Sequence, residues 1–248
     1  MVGQLILRGF IVGIVAGLLA FAWARTFGEP AVAVAIAFES AQDQAEAAEA
    51  KAAGKPAPPP DVVIFSRAVQ RGPGLLTGMV GIGAGIGCIF GVLFAFAYGR
   101  LGRFTPQATA VLVAFLCLVT LYIVPMLKYP ANPPSIGEPA TIKLRTGLYF
   151  LMMAISIVVS VGTLRLRKSL IPRFGTWNGS LLALAVYVVL IAAAYVGLPA
   201  INEVPPTFPA ATLWQFRVAS FGIQTVLWGT VGILFGYVSL GVLRHGQR

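Results

Sequence analysis

Six long stretches without a charged residue constrain this chain more than any other feature. Asp, Glu, Lys and Arg do not occur in residues 9–24, 72–99, 104–127, 146–164, 174–202 and 218–243. The hydrocarbon core of a bilayer is ~30 Å thick and is crossed by about 20 helical residues. Every stretch is that long or nearly so, and none shows the alternation of barrel strands. The pattern predicts an all-α polytopic membrane protein with a six-helix transmembrane bundle.

The predicted spans form one transmembrane domain over residues 1–248 and lie at about 5–25, 73–98, 106–127, 145–164, 178–199 and 214–242. Composition agrees, since 10% of the residues are charged against about a quarter in soluble chains. The first span also permits a second interpretation, a signal peptide cleaved near Ala22-Trp23-Ala24. If the first span is retained, the chain has an even number of spans, and both termini lie on the same side of the membrane.

The outer connections differ in length. Residues 26–72 are an insertion predicted to form a longer helical hairpin, in which Glu29-Pro30 begins a helix that Gly54 ends. Asp61 is predicted to cap a second helical stretch that runs to Arg71. The two remaining outer loops are short and rich in proline, which favours stiff, irregular backbone.

Charge orients the bundle. Of 18 Lys and Arg, nine fall on the predicted inner side with none of the eight acids. The compact inner loops 99–105 and 165–177 carry two and four of these basic residues. Short loops rich in Lys and Arg face the cytoplasm, so both termini are predicted to be cytoplasmic. The net charge of +10 is spread between apolar runs, which argues for the lipid bilayer and against nucleic acid as a partner.

Glycines predict how the helices pack. Gly9, Gly13 and Gly17 recur every fourth residue in the first span. The second span carries glycine on two faces, at residues 74, 78, 81 and 85 and at residues 83, 87 and 91. Small residues let membrane helices approach closely, so the second span is predicted to be central and to pack against the first.

The candidate functional residues lie at the outer ends of the spans. Glu29, Glu138 and Glu203 are single acids in three outer segments, and Asn132 and Asn202 lie beside them in sequence. One interpretation pairs these acids with the basic residues Arg25, Lys128, Arg145 and Arg217 as interfacial ion pairs. The other makes the five oxygen-bearing side chains ligands of a divalent cation. No grouping typical of a catalytic site occurs, so neither an enzyme nor a bound cofactor is expected.

The outer motifs, taken in order, resemble those of the CbtA family. They are Arg25–Pro30, Arg67–Gly72, Lys128–Pro134, Asn202–Pro205 and Leu213–Arg217. The resemblance covers essentially the whole chain. It implies a multi-pass subunit of a proposed bacterial inner-membrane cobalt transporter, acting with a small single-span partner of CbtB type.

One departure from the family concerns the metal ligands. Several relatives carry histidine in the first outer segment, and imidazole is a natural ligand for cobalt. Residues 42–49 contain no histidine here. Metal capture by carboxylates, imidazole supplied by the partner, and a different cargo all remain open. The leading hypothesis is a permease subunit for cobalt or a similar divalent cation; the alternative is a structural or assembly subunit that binds another membrane protein through its glycines.

Overall fold

The structure is a computed structural model that describes residues 2–56, 64–134 and 136–245. Its α-helices are α1 (Val2–Trp23), α2 (Glu29–Ala52), α3 (Arg67–Val69), α4 (Leu75–Ala97), α5 (Pro106–Leu118), α6 (Val124–Lys128), α7 (Ile142–Gly197) and α8 (Ala210–His245). The described residues contain no strand, which confirms the all-α class.

Five helical elements are long and apolar enough to cross a bilayer. They are Val2–Ala52, Arg67–Ala97, Pro106–Lys128, Pro139–Gly197 and Ala210–Leu243 among the described residues. The fourth has 59 residues and would be about 90 Å long if straight, roughly three times the bilayer core. Six predicted spans therefore correspond to five continuous elements, and the six-span count stays a prediction.

The fourth element folds back on itself at Gly175. This glycine has φ 76° and ψ 168°, a backbone conformation that side chains with a Cβ rarely adopt. Arg167 Nε donates to Ser180 Oγ at 2.8 Å, although a straight helix would hold the two residues about 20 Å apart. The element thus consists of two helices that meet at Gly175. The predicted inner loop 165–177 was wrong, because this segment is helical apart from that glycine.

Two π-helical turns in the described residues continue helices close to prolines. They span Ala24–Gly28 and Val119–Ile123, and Pro30 and Pro125 lie just after them. At Gln70–Gly74 the helix is kinked instead, because Gly72 has a non-helical φ of −112° and ψ of −106° and Pro73 follows it. Proline lacks the N–H that the helix needs and clashes with the carbonyl four residues earlier, and a π turn is one way for a helix to accommodate the mismatch. Helix α2 begins at Glu29 with Pro30 in its first turn, as predicted, but it continues directly from α1 through Ala24–Gly28 and does not follow a loop.

The second half of the first outer segment differs from the prediction. Asp61, the predicted cap, lies outside the described residues. The helix there begins at Arg67 after the cap residue Ser66, whose hydroxyl accepts from Val69 N–H. Gly54 does end α2, with φ 68°, as predicted.

The chain divides into two compact units. Unit 1 comprises Met1–Phe115, Asn132–Ile136 and Val204–Arg248, and unit 2 comprises Leu116–Ala131 and Gly137–Glu203.

Helices α1 and α4 of unit 1 pack backbone against backbone. A Cβ built on Gly9 would collide with the carbonyl oxygen of Gly87, and one built on Gly13 would collide with that of Gly83. The absence of a side chain at these glycines lets the two backbones approach this closely. The predicted packing of the second span against the first is confirmed, through the face that carries residues 83, 87 and 91.

Helix α8 completes unit 1. The Arg8 guanidinium donates to the Val238 carbonyl of α8, and Trp23 Nε1 donates to the Ala219 carbonyl at 3.1 Å. Because these contacts lie near the two ends of α1, α8 runs alongside it in the opposite direction. The beginning of α1 and the end of α8 therefore lie at the same end of unit 1.

Unit 2 has a core of its own, formed by Val124, Met152 and Ile191. Within it, the Thr120 and Ser160 hydroxyls are hydrogen bonded at 3.0 Å. Met152 and Ile191 lie in the two halves of α7, so this core also holds the folded-back helix together.

Candidate functional site

Glu203 is the best-anchored acid of unit 2. Its Oε2 atom accepts a hydrogen bond from the Thr141 hydroxyl at 2.8 Å and another from the Glu138 N–H at 3.1 Å. Arg145 Nε lies 3.3 Å from the same oxygen. Two loops far apart in sequence, before α7 and after it, are thereby joined at one carboxylate.

These contacts set the protonation state of Glu203. The hydrogen bond from Thr141, supported by the Glu138 N–H and the Arg145 charge, outweighs desolvation and lowers the pKa of Glu203 below its usual value. The carboxylate is therefore ionised at neutral pH and available as a hard oxygen donor.

Two further side chains that carry oxygen atoms lie near Glu203. Asn202 precedes it in the sequence, and Glu138 contacts it through its backbone N–H. The Glu138 and Asn202 side chains are exposed, and neither has a hydrogen bond or ion pair among the described residues. All three contacts of Glu203 use Oε2, which leaves Oε1 free of described partners. We call Glu138, Asn202 and Glu203 the rim cluster. With Arg145 included, its net charge is −1.

Another basic residue of unit 2 at this end, Lys128, contacts no carboxylate among the described residues. Its Nζ donates to the carbonyls of Tyr195 and Leu198 at 2.7 and 2.8 Å. A cation at the carboxyl end of a helix satisfies its last carbonyl groups and its dipole. Lys128 therefore stabilises the end of α7.

Glu29 belongs to unit 1 and lies in a different setting. Its Oε2 is 2.8 Å from Arg67 Nη2, and the two side chains are 14% and 37% exposed. Arg25 and Arg71 line the same pocket. Arg67 and Arg71 lie 38 and 42 residues from Glu29 in the chain, and neither was among the basic residues predicted to pair with it. We call Arg25, Glu29, Arg67 and Arg71 the arginine pocket.

Asn132, also in unit 1, has a basic partner too. Its Oδ1 accepts a hydrogen bond from Arg217 Nη2 at 3.1 Å. The structure thus brings Glu138 to Glu203 and Asn132 to Arg217, and it gives Glu29 a partner of its own. No group of three or more His, Cys, Asp or Glu suited to a metal ion occurs in the part of the chain that the structure describes.

The chain resembles a known protein family. A family model described as a probable cobalt transporter subunit (CbtA) matches residues 2–239. No curated protein and no solved structure matches the chain.

Proposed function

The chain belongs to the CbtA family of probable cobalt transporter subunits, and we propose that it is the permease subunit for cobalt or a similar divalent cation. The match over residues 2–239 carries this proposal. The family and the five long apolar helices indicate a membrane location. In the proposal the membrane is the cell (inner) membrane and the chain crosses it six times, with both termini cytoplasmic.

We place the entry of the cation at the rim cluster. Glu138, Asn202 and Glu203 offer carboxylate and amide oxygens, the donors that hard divalent cations take. Glu203 is kept ionised by its contacts with Thr141 and Arg145. Two of the cluster's three side chains, Glu138 and Asn202, are exposed, which favours weak, reversible capture and suits a site that must release its cargo.

Glu29 and Asn132 are less suited to be ligands. The Glu29 carboxylate is paired with Arg67, and the Asn132 oxygen accepts from Arg217. A cation would have to displace a guanidinium from each. We therefore assign the proposed metal contacts to the rim cluster and an interfacial role to Glu29 and Asn132.

The family description names a subunit, and we propose a small single-span protein of CbtB type as the other component. Such a partner could supply the imidazole that the first outer segment of this chain lacks.

Cobalt accumulation tests the transport proposal. Cells that lack this gene are grown with limiting cobalt, and their metal content is compared with that of the parent strain by mass spectrometry. We expect cobalt content to fall and to be restored by the gene on a plasmid. Unchanged accumulation in the deleted strain would contradict transport.

A second candidate function, a structural subunit that binds another membrane protein, is favoured by one observation. A Cβ built on Gly78, Gly81 or Gly85 of α4 has nothing within 4 Å, so this glycine face is open for another helix. A stoichiometric partner in a detergent pull-down, with unchanged cobalt content in the deleted strain, would favour this function over transport.

A further inference from the structure

The arginine pocket is a cavity of about 500 Å³ in unit 1. Four charged side chains line it together with apolar residues of α2. Three of the four are guanidinium groups and one is the Glu29 carboxylate. The pocket therefore carries a net charge of +2, opposite in sign to the rim cluster.

The arginines have unequal roles. Arg67 is held by Glu29 at 2.8 Å and by the Gln70 side-chain oxygen at 3.0 Å. Arg25 and Arg71 make no hydrogen bond or ion pair with any residue that the structure describes. Two guanidinium groups are thus left without an acidic partner beside a cavity, while the third is fixed in its wall.

The backbone near both arginines departs from a regular α-helix. Arg25 lies in the π turn Ala24–Gly28, a rare conformation that frequently occurs at functional sites. Arg71 precedes Gly72, whose φ of −112° and ψ of −106° are non-helical and kink the chain before Pro73. The two side chains therefore extend from points at which the regular helix is interrupted.

The position along α1 places the pocket near a membrane border. Arg25 follows Arg8 by 17 positions in a continuous helix, which corresponds to a rise of about 25 Å along the helix axis. This rise is close to the ~30 Å thickness of the hydrocarbon core. With Arg8 at one interface, Arg25 lies at the depth of the opposite headgroups.

We propose that the arginine pocket binds an anion with a phosphate or carboxylate group. Arg25 and Arg71 are the ligands, and Arg67 is a positioning residue that Glu29 holds in the wall. Guanidinium groups form paired, charge-assisted hydrogen bonds with both kinds of anion. The anion is either the headgroup of an acidic lipid or a soluble species. This inference goes beyond the proposed transport function and does not rest on it.

Binding to the full chain, purified in an uncharged detergent, tests the proposal. The probes are phosphatidylglycerol, inorganic phosphate and citrate, with phosphatidylcholine as the neutral lipid, and binding is read by native mass spectrometry and thermal shift. We expect at least one anionic probe to bind and phosphatidylcholine not to compete. Phosphatidylglycerol alone identifies a lipid site; phosphate or citrate alone identifies a soluble ligand; binding of both kinds identifies the shared chemistry.

Paired variants locate the site. The double substitution Arg25→Gln and Arg71→Gln should weaken anion binding by about tenfold or more. The matched control, Arg100→Gln with Arg103→Gln, removes the same charge in the loop between α4 and α5 and should bind as the native chain does. Equal affinity of both variants, or no anion binding by the native chain, would overturn the proposal.

A conservative variant covers the case in which the glutamine variant does not fold. Arg25→Lys with Arg71→Lys keeps both charges and should retain part of the affinity. Anion binding by the native chain should also weaken as ionic strength rises. Binding that is insensitive to salt would overturn the proposal, whatever the fate of the glutamine variant.

Discussion

Replacing Gly13 by valine is expected to destroy the packing of α1 on α4. The added Cβ would collide with the Gly83 carbonyl oxygen and lie 3.0 Å from the Ala84 Cα. Both neighbours are backbone atoms, which cannot rotate away as a side chain can. Overpacking a core costs roughly 1–3 kcal/mol and occasionally more, and we expect this substitution at or above the upper end. The loss of stability is measured by heating the detergent-solubilised protein and following the fraction that remains monodisperse.

The same helix pair provides a matched control. Gly81 and Gly85 lie on the other face of α4, where an added Cβ meets nothing within 4 Å. Gly81→Val and Gly85→Val should therefore leave the unfolding temperature nearly unchanged. If the two control variants lost stability as Gly13→Val does, the α1–α4 contact would not be what makes glycine necessary.

The second large effect concerns the rim cluster. Glu138→Gln combined with Glu203→Gln should lower cobalt accumulation by at least about tenfold, by analogy with the loss that follows removal of supporting groups at metal sites. Glutamine keeps the size and one oxygen of each side chain, so the Thr141 hydroxyl retains an acceptor. The two negative charges that attract a divalent cation are removed, and the Arg145 charge is left without its counterion.

The control for this variant removes two negative charges at a different place in the chain. Glu46 and Glu49 are exposed acids on α2, and Glu46→Gln with Glu49→Gln should accumulate cobalt normally. Membrane levels of each variant are measured by immunoblot. An equal loss in both double variants at equal protein levels would show that net charge matters and the rim cluster does not.

Local sequence rules predicted the features that depend on neighbours in the chain. The charge-free runs located the apolar part of each of the five helical elements that are long enough to cross a bilayer, because burial in lipid requires about 20 apolar residues wherever it occurs. The recurrence of glycine at every fourth residue, at Gly9, Gly13 and Gly17, identified the face of α1 that packs closely against another helix. Gly54 ended α2 as expected for a residue that tolerates positive φ.

Features that depend on tertiary packing escaped those rules. Pro30 was interpreted as a helix start, since proline at the first helical position begins many helices, whereas α2 continues directly from α1 through Ala24–Gly28, beside the contact of Trp23 with the Ala219 carbonyl of α8. The short loop predicted at 165–177 was also wrong, because Gly175 alone suffices to turn the chain.

The long-range partners of individual side chains were equally out of reach. The Glu29–Arg67 pair joins residues 38 apart, and the Asn132–Arg217 bond joins residues 85 apart. Nothing in local spacing distinguishes these partners from other basic residues. The pairing matters for function, since it separates acids that sequence reasoning had grouped as equivalent: Glu203 lies in a site with net negative charge and Glu29 in one with net positive charge.

Metal flux through the purified chain tests transport most directly. The protein is reconstituted with its proposed single-span partner into liposomes that enclose a fluorescent indicator quenched by cobalt. We predict that external cobalt quenches the indicator faster than in protein-free liposomes, and that the Glu138→Gln, Glu203→Gln variant loses this difference. Quenching no faster than in protein-free liposomes, with both components present and folded, would contradict the account.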